Sequence, residues 1–339
     1  MNGLFSNLLV SSPNGGGLFF IHDKLPKKLD SFNTVGLFAA PRKFLRAIQP
    51  ESVWAFGDNP LQIHSDAVAL GDVHDVLEFE GHLYVVGTTG NEVIKLDSQG
   101  TECQRWRFPG EDDSRHVNCL GIWNGRIVYS AFGEFSQHRG YKGLSEGQGF
   151  VNDLMTGRRL ISGLSQPHTP MPNGENLLLA NSERSELHEY APNGDLLRKK
   201  TLPGYTRGIS VTEDAIYVGM SKSRNIDVEG LSSAVLLALD PDTWEELGRV
   251  AIPASEVYSV ISIADDAEML WTVTQVASYV SEQMEDRIAR MQEVATEQSV
   301  EAMRRREFVD AISQQLTGRL QPYLEYDRND STETDEHLK

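Results

Sequence analysis

The sequence predicts an all-β chain, a six-bladed β-propeller followed by one long C-terminal α-helix. Three observations carry that expectation. A unit made of a polar residue, a short apolar strand, a Gly/Asp/Asn turn and a second apolar strand occurs five times. Successive copies lie 39 to 51 residues apart, the period of propeller blades built from short strands. Residues 278–317 then hold neither proline nor glycine and are dominated by Glu, Gln, Met, Ala and Arg, which is helix chemistry.

The elements follow in order. Asn7–Val10 and Leu18–Ile21 flank the turn Pro13-Asn14-Gly15-Gly16-Gly17, and further strand signals stand at Thr34–Phe38 and Ser52–Phe56. The first repeat is Val73–Leu77, the turn Glu80-Gly81, then Leu83–Val86; the second is Asn118–Ile122, Asn124-Gly125, Ile127–Tyr129. The third runs His168–Pro170, Asn173-Gly174, Leu177–Leu179, and the fourth Arg207–Val211, Glu213-Asp214, Ile216–Val218. In the fifth, Tyr258–Ile261 leads through Asp265-Asp266 to Met269–Trp271 as its second strand. Outer strands at Glu92–Asp97, Glu186–Tyr190 and Ala234–Leu239 each run into a Gly, Asn, Asp or Pro turn, as a four-stranded antiparallel blade needs. Five repeats and the N-terminal strands make six blades. Pairing those N-terminal strands with the last blade would close the ring and remove its open edges.

The expected domains are a propeller over residues 1–275, a helix over 278–320 and a disordered acidic tail over 326–339. Met284, Ile288, Met291, Ala295, Ala302, Val309, Ile312 and Leu316 follow a 3-4 spacing that Gln298 and Arg305 interrupt. Two readings stand: a coiled coil between protomers, or an amphipathic helix lying on its own propeller.

Composition bounds the function. A chain of 339 residues with 40% hydrophobic content can bury a core without disulfides, and Cys119, inside an apolar strand, reads as a buried free thiol rather than a partner for Cys103. With 49 acidic against 31 basic residues and a net charge of −18, the surface repels phosphate backbones. Nucleic acids and anionic membranes are therefore not the expected partners. The N-terminal residues carry no basic region, and nowhere do about 18 apolar residues run together, so a cytoplasmic protein is expected.

Aligned on their turns, the repeats place His74, Asn118, His168, Arg207 and Tyr258 in one column at the start of the innermost strand. Two residues earlier, with the same side-chain parity, comes a second polar layer of Asp72, His116, Gln166, Tyr205 and Glu256. The end of the second strand returns to this rim and brings Asn91, Asn181, Ser182, Ser221 and Lys222. Polar side chains converging where the blades meet the central channel make a candidate ligand site.

Gln166-Pro167-His168-Thr169-Pro170, Pro203-Gly204-Tyr205-Thr206-Arg207-Gly208, Val218-Gly219-Met220-Ser221-Lys222-Ser223-Arg224 and His116-Val117-Asn118-Cys119-Leu120-Gly121 resemble strings of a bacterial conserved-hypothetical family, a domain of unknown function. The resemblance spans about residues 70–230. It implies a β-propeller and a shared site, and it brings no activity.

Within the column, His74, His116 and His168 are the nitrogens that would hold a divalent transition metal, with Asp72 completing or orienting the set. The bland alternative is histidines that merely hydrogen-bond between blades. Arg207 is the candidate anchor for an anion, because its fork of donors suits carboxylate or phosphate and Gly204 and Gly208 let a ligand approach. Lys222 and Arg224 would add charge at the same rim, and the alternative for Arg207 is an inter-blade ion pair with Asp72 or Glu256. His22, His64, His82, His138 and His188 read as structural or surface residues, and Gly140–Gly149 as a long loop over the channel. No nucleophile motif, phosphate-binding glycine loop or CxxC pair is present. The expected function is a small anionic ligand held in the channel, with His74 and His168 as acid/base groups or metal ligands of an enzyme on a sugar- or peptide-derived metabolite. A non-catalytic, protein-binding propeller is the alternative.

Overall fold

A computed structural model of the chain describes residues 3–58, 60–64, 67–222 and 233–330. The described residues form six four-stranded antiparallel sheets; five of them succeed one another along the chain, each starting with its innermost strand. The first is β4 (Thr34–Ala40), β5 (Lys43–Ile48), β6 (Ser52–Phe56) and β7 (Leu61–His64). The next is β8 (Val73–Phe79), β9 (His82–Gly87), β10 (Glu92–Leu96) and β11 (Glu102–Arg107). Then come β12 (Val117–Trp123) to β15 (Arg159–Leu164), β16 (Pro167–Asn173) to β19 (Leu196–Thr201), and β20 (Tyr205–Val211) to β23 (Glu246–Ile252).

The sixth blade is made from both ends of the chain. β24 (Val260–Ser262) is its innermost strand and pairs with β1 (Leu8–Ser12), which continues into β2 (Gly17–His22) and β3 (Leu25–Lys28). Leu8 stands opposite Ser262 and Val10 opposite Val260. The expected closure is thus the observed one, with a changed allotment: residues 34–64 form a blade of their own, and the N-terminal strands complete the fifth repeat.

The core lies between blades. Strands alternate their side chains toward the two neighbouring sheets, so each junction receives one apolar face from either side. Phe5, Leu8, Val10, Phe19 and Ile21 of the closing blade pack against Tyr217, Leu236, Val250 and Ile252. Val35, Leu45 and Val53 meet Val73, Val85 and Ile94 in the same way.

The C-terminal helix α1 spans Asp266–Asp330, so it begins well before Ser278. Met269–Trp271 belongs to its first turns and is not the second strand of a repeat. Asp265, read from sequence as part of a turn, caps the helix: its Oδ1 accepts the Glu268 N–H at 2.9 Å, and Asp266 and Glu268 place negative charge in the first turn. Residues 326–330 of the expected tail are helical; 331–339 lie outside the described residues, as do Ser223 and Arg224. The chain divides into one compact unit over Met1–Ala277 and a second over Ser278–Lys339. Among the described residues, no helix is long and apolar enough to cross a membrane.

Candidate functional site

Just before β8, β12 and β16 the backbone turns into the left-handed region at Asp72 (φ 49°), His116 (φ 48°) and Gln166 (φ 50°). Each entry swings the chain from an outer strand into the channel, so the following residue starts an innermost strand at the same height. A bulge then interrupts each of these strands, at His74, at Asn118 and just after His168. Bulges re-aim side chains, and here they do so at the channel mouth.

The result is a cavity of about 370 Å³ at one end of the channel, within the size range of small-molecule sites. Of the residues expected from sequence, His74, His116, His168, Tyr205, Arg207, Ser221, Lys222 and Tyr258 line it, together with Glu256 of the second polar layer. Asp72, Asn118 and Gln166 do not; they brace the wall. Asn118 is fully buried, donating to the Pro167 carbonyl at 2.9 Å and accepting from the Ser130 hydroxyl at 2.5 Å. Gln166 accepts from the Tyr205 hydroxyl at 2.6 Å and donates to Ser145 Oγ at 2.9 Å. Asp72 accepts from Gln49 Nε2 at 2.9 Å.

The three histidines are held alike. His74 Nδ1–H donates to the Asp72 carbonyl and His168 Nδ1–H to the Gln166 carbonyl, both at 2.9 Å. Ser182 lies 2.8 Å from the same His168 nitrogen while giving its own proton to the Thr206 carbonyl. A carbonyl only accepts, so in both rings Nδ1 carries the proton and Nε2 keeps its lone pair. His116 Nδ1–H donates to Asp113 Oδ1 at 2.8 Å. Asp113 also accepts from Arg139 Nε at 2.7 Å and the Tyr141 hydroxyl at 3.0 Å. Burial pushes this carboxyl up, but His116 and the other donors outweigh it and hold Asp113 down at about 2.

Burial also lowers His74, helped by the neighbouring His116, to about 4, and burial with the Arg207 charge pushes His168 well below its usual value. Both rings are neutral at pH 7. A base that weak is poorly matched to proton transfer at neutral pH but serves well as a hydrogen-bond acceptor. The rings pack closely: His74 and His116 meet edge to face with centroids 5.1 Å apart, and Phe132 sits between His116, tilted against it at 4.2 Å, and His168, edge to face at 5.3 Å. For the expected metal site the geometry is unfavourable. Among the described residues, no group of three or more His, Cys, Asp or Glu is arranged to hold an ion.

Arg207 reaches the cavity by a different route from the one its place in the repeat suggested. The connection from β20 to β21 (Ile216–Ser221) is four residues long, Thr212–Ala215, against two in Glu80-Gly81, so alignment on turns slides this strand by one residue. Counted from the end of the ladder, where Tyr205 faces Ser221, Thr206 is the true counterpart of His74. Arg207 Nη1 donates to Glu256 Oε2 at 2.9 Å, and the guanidinium lies 4.8 Å from the Tyr205 ring and 5.5 Å from the Tyr258 ring. Burial opposes its charge, but Tyr205, Glu256 and Tyr258 outweigh that and push its pKa up. It is a fixed cation within an inter-blade ion pair.

Sequence reasoning missed Phe132, Arg139, Tyr141 and Lys142, which come from the connection between β13 (Arg126–Ala131) and β14 (Gly149–Asp153). This is the segment expected to lie over the channel, and it supplies wall. Ser145 ties it to Glu183 at 3.0 Å, and the Gly147 N–H to Ser165 at 3.0 Å. No repeat register exists in a loop, so only its length and glycine content marked it.

The family described as Domain of unknown function (DUF4915) matches residues 61–281, more than half of the chain. The chain belongs to this family. The DUF4915 match begins inside the first blade and runs through β24 into α1, so it takes in nearly all of the cavity wall just described. No curated protein matches this DUF4915 chain. Among solved structures, it resembles a chain in the crystal structure of a nidogen/laminin complex, with a TM-score of 0.57 and 10% identity over 76% of this chain and 98% of that one. It also resembles a protein of unknown function from Bacteroides caccae, with a TM-score of 0.53 and 11% identity over 77% and 100% of the two chains. At such identities the likeness is one of fold.

Proposed function

We propose that the polar chamber binds a small anionic molecule that also carries hydroxyl or amide donors. One observation carries this reading: in a chain of net charge −18, four cations line the chamber, Arg139 and Arg207 paired with the carboxylates of Asp113 and Glu256, and Lys142 and Lys222 adding positive charge beyond those two pairs. Low-dielectric walls concentrate that field on a ligand. The Nε2 lone pairs of His74 and His168 supply neutral acceptors for donors on the same molecule, as in a hydroxylated carboxylate or a sugar phosphate. Their lowered basicity favours binding over proton transfer, so recognition is the primary role and turnover of a sugar- or peptide-derived metabolite is secondary.

Thermal melts of the full chain against hydroxy acids, sugar phosphates and neutral sugars test this. Anionic compounds should raise the melting temperature and neutral sugars should not. Lys142→Ala and Lys222→Ala, both at exposed positions, should each weaken binding several-fold without lowering the melting point of the free protein. A panel in which no anion shifts the wild-type melt would remove the reading.

A second surface favours self-association, the alternative in which the molecule works as an assembly. Met284, Ile288, Met291 and Val309 of the helical stripe are 47–60% exposed. Glu301 and Arg306 flank the stripe at positions where two parallel copies would bring opposite charges together. We infer a second copy of this chain as its partner.

A further inference from the structure

Tyr258 lines two chambers. Beyond it, toward the opposite mouth of the channel, lies a second cavity of about 280 Å³ to which all six innermost strands contribute. Its chemistry inverts that of the first. Leu37, Leu77, Leu120, Met171, Ile209 and Ile261 make an apolar wall, and among the lining residues Asp75 alone carries a charge. Asp75 Oδ1 accepts the Val76 N–H at 2.9 Å and Oδ2 the Leu120 N–H at 2.8 Å. Gly36 makes room for this carboxyl, since a β-carbon there would collide with Asp75 Oδ1.

We propose that this lower chamber is a second binding site, for a small primary amine with an apolar body, whose ammonium pairs with Asp75. Two backbone donors leave each carboxylate oxygen with spare accepting capacity, and among the described residues no cation lines the chamber to neutralise the charge. An ammonium supplies both the charge and the donors, while the apolar walls take up the rest of the molecule. An anion would meet like charge. A neutral apolar body would force the carboxyl to keep a proton. Burial already pushes Asp75 up to about 7, the response of a carboxyl that faces an apolar space without a counter-ion. The other titratable groups on the wall stay neutral across the relevant range: burial and the Asp75 charge push Cys119 up to about 12, and burial with neighbouring Cys119 pushes Tyr258 well above its usual value. β4, β16 and β20 add no titratable side chain to this wall, and Arg207, acting from the other chamber, remains a cation throughout.

Calorimetric titration of the full chain with benzylamine, benzyl alcohol and phenylacetate at pH 6 and pH 8 tests the proposal. Benzylamine, an ammonium at both values, should bind roughly tenfold more tightly at pH 8, where Asp75 is ionised without it. Benzyl alcohol should bind at least about tenfold more weakly than benzylamine at pH 8, and phenylacetate should show no preference for the higher pH. Asp75→Asn should lose the benzylamine site. Met171→Trp fills the chamber and keeps the carboxylate, so it should lose the site as well and decides the matter if Asp75→Asn does not fold. Benzylamine failing to bind wild type at pH 8, or binding Asp75→Asn or Met171→Trp with unchanged affinity, would overturn the proposal and place any amine binding on the acidic outer surface.

Discussion

Arg207 illustrates why a cation at a blade junction serves stability before it serves a ligand. Its partner Glu256 is buried, so Arg207→Ala leaves a carboxylate in a low-dielectric site. The expected loss is about 3 kcal/mol in denaturant unfolding, and the double change Arg207→Met with Glu256→Met should recover much of it. If the single variant were as stable as wild type, the ion pair would not be structural. Titration behaviour follows from three further residues. His74 has a folded pKa of about 4, so the unfolded chain takes up its proton first as pH falls from 6.5, and stability drops from there toward pH 4; His168 acts in the same direction. Asp75 works oppositely: its folded pKa of about 7 gives stability that is complete below pH 3.8 and lost as pH rises through 7. Between pH 6 and pH 8 the stability of wild type relative to Asp75→Asn should therefore fall by on the order of 1 kcal/mol, the histidine contributions being common to both, as read from urea midpoints at the two pH values. Most of the polar chamber was legible at this scale, because repeat position and residue type together picked out His74, His168 and Tyr258. Asp75 was not. Adjacent to a histidine in an apolar strand it looks like any strand polar residue, and only the fold brings six apolar strands around it.

Element boundaries were lost where a local signal has two structural solutions. Asp265-Asp266 followed by Met269–Trp271 fits both a turn leading into a strand and a capped helix. The helix prevails because the place of a second strand in that blade is already taken by β1 from the far end of the chain. The one-residue slide of β20 has the same character, since turn length is invisible when a turn is marked only by its acidic centre. What the sequence did make plain is the stripe on α1, whose 3-4 spacing needs no tertiary information. A chain ending at Ala277 retains the whole first compact unit. It should be monomeric by light scattering and unchanged in propeller melting, whereas the full chain should be an oligomer. A monomeric full chain would dismiss the self-association reading.

For the molecule as a whole, the decisive pairing is the shortest strand. β24 contributes three residues, yet through Leu8, Leu9 and Val10 it joins the two ends of the chain into one sheet. Removing everything from Ser259 onward should open the ring, expose the edge of β1 and abolish the cooperative melt, while the chain ending at Ala277 keeps it. Circular dichroism melts of the two truncations separate these outcomes; a cooperative transition in the shorter chain would mean the five remaining blades hold one another without closure.

The same latch sets a timetable for biosynthesis. β1 to β3 leave the ribosome roughly 250 residues before their innermost partner, so synthesis at about 5–20 residues per second keeps the unpaired edge of β1 waiting on the order of ten seconds or more. Through that interval the nascent chain carries an apolar strand edge with no occupant. Neighbouring chains on one message hold the same edge, which makes strand exchange between them the characteristic error of this fold. α1, the proposed self-association surface, is translated only after the latch, so each ring would have its own closing strand in hand before two copies could meet through that helix.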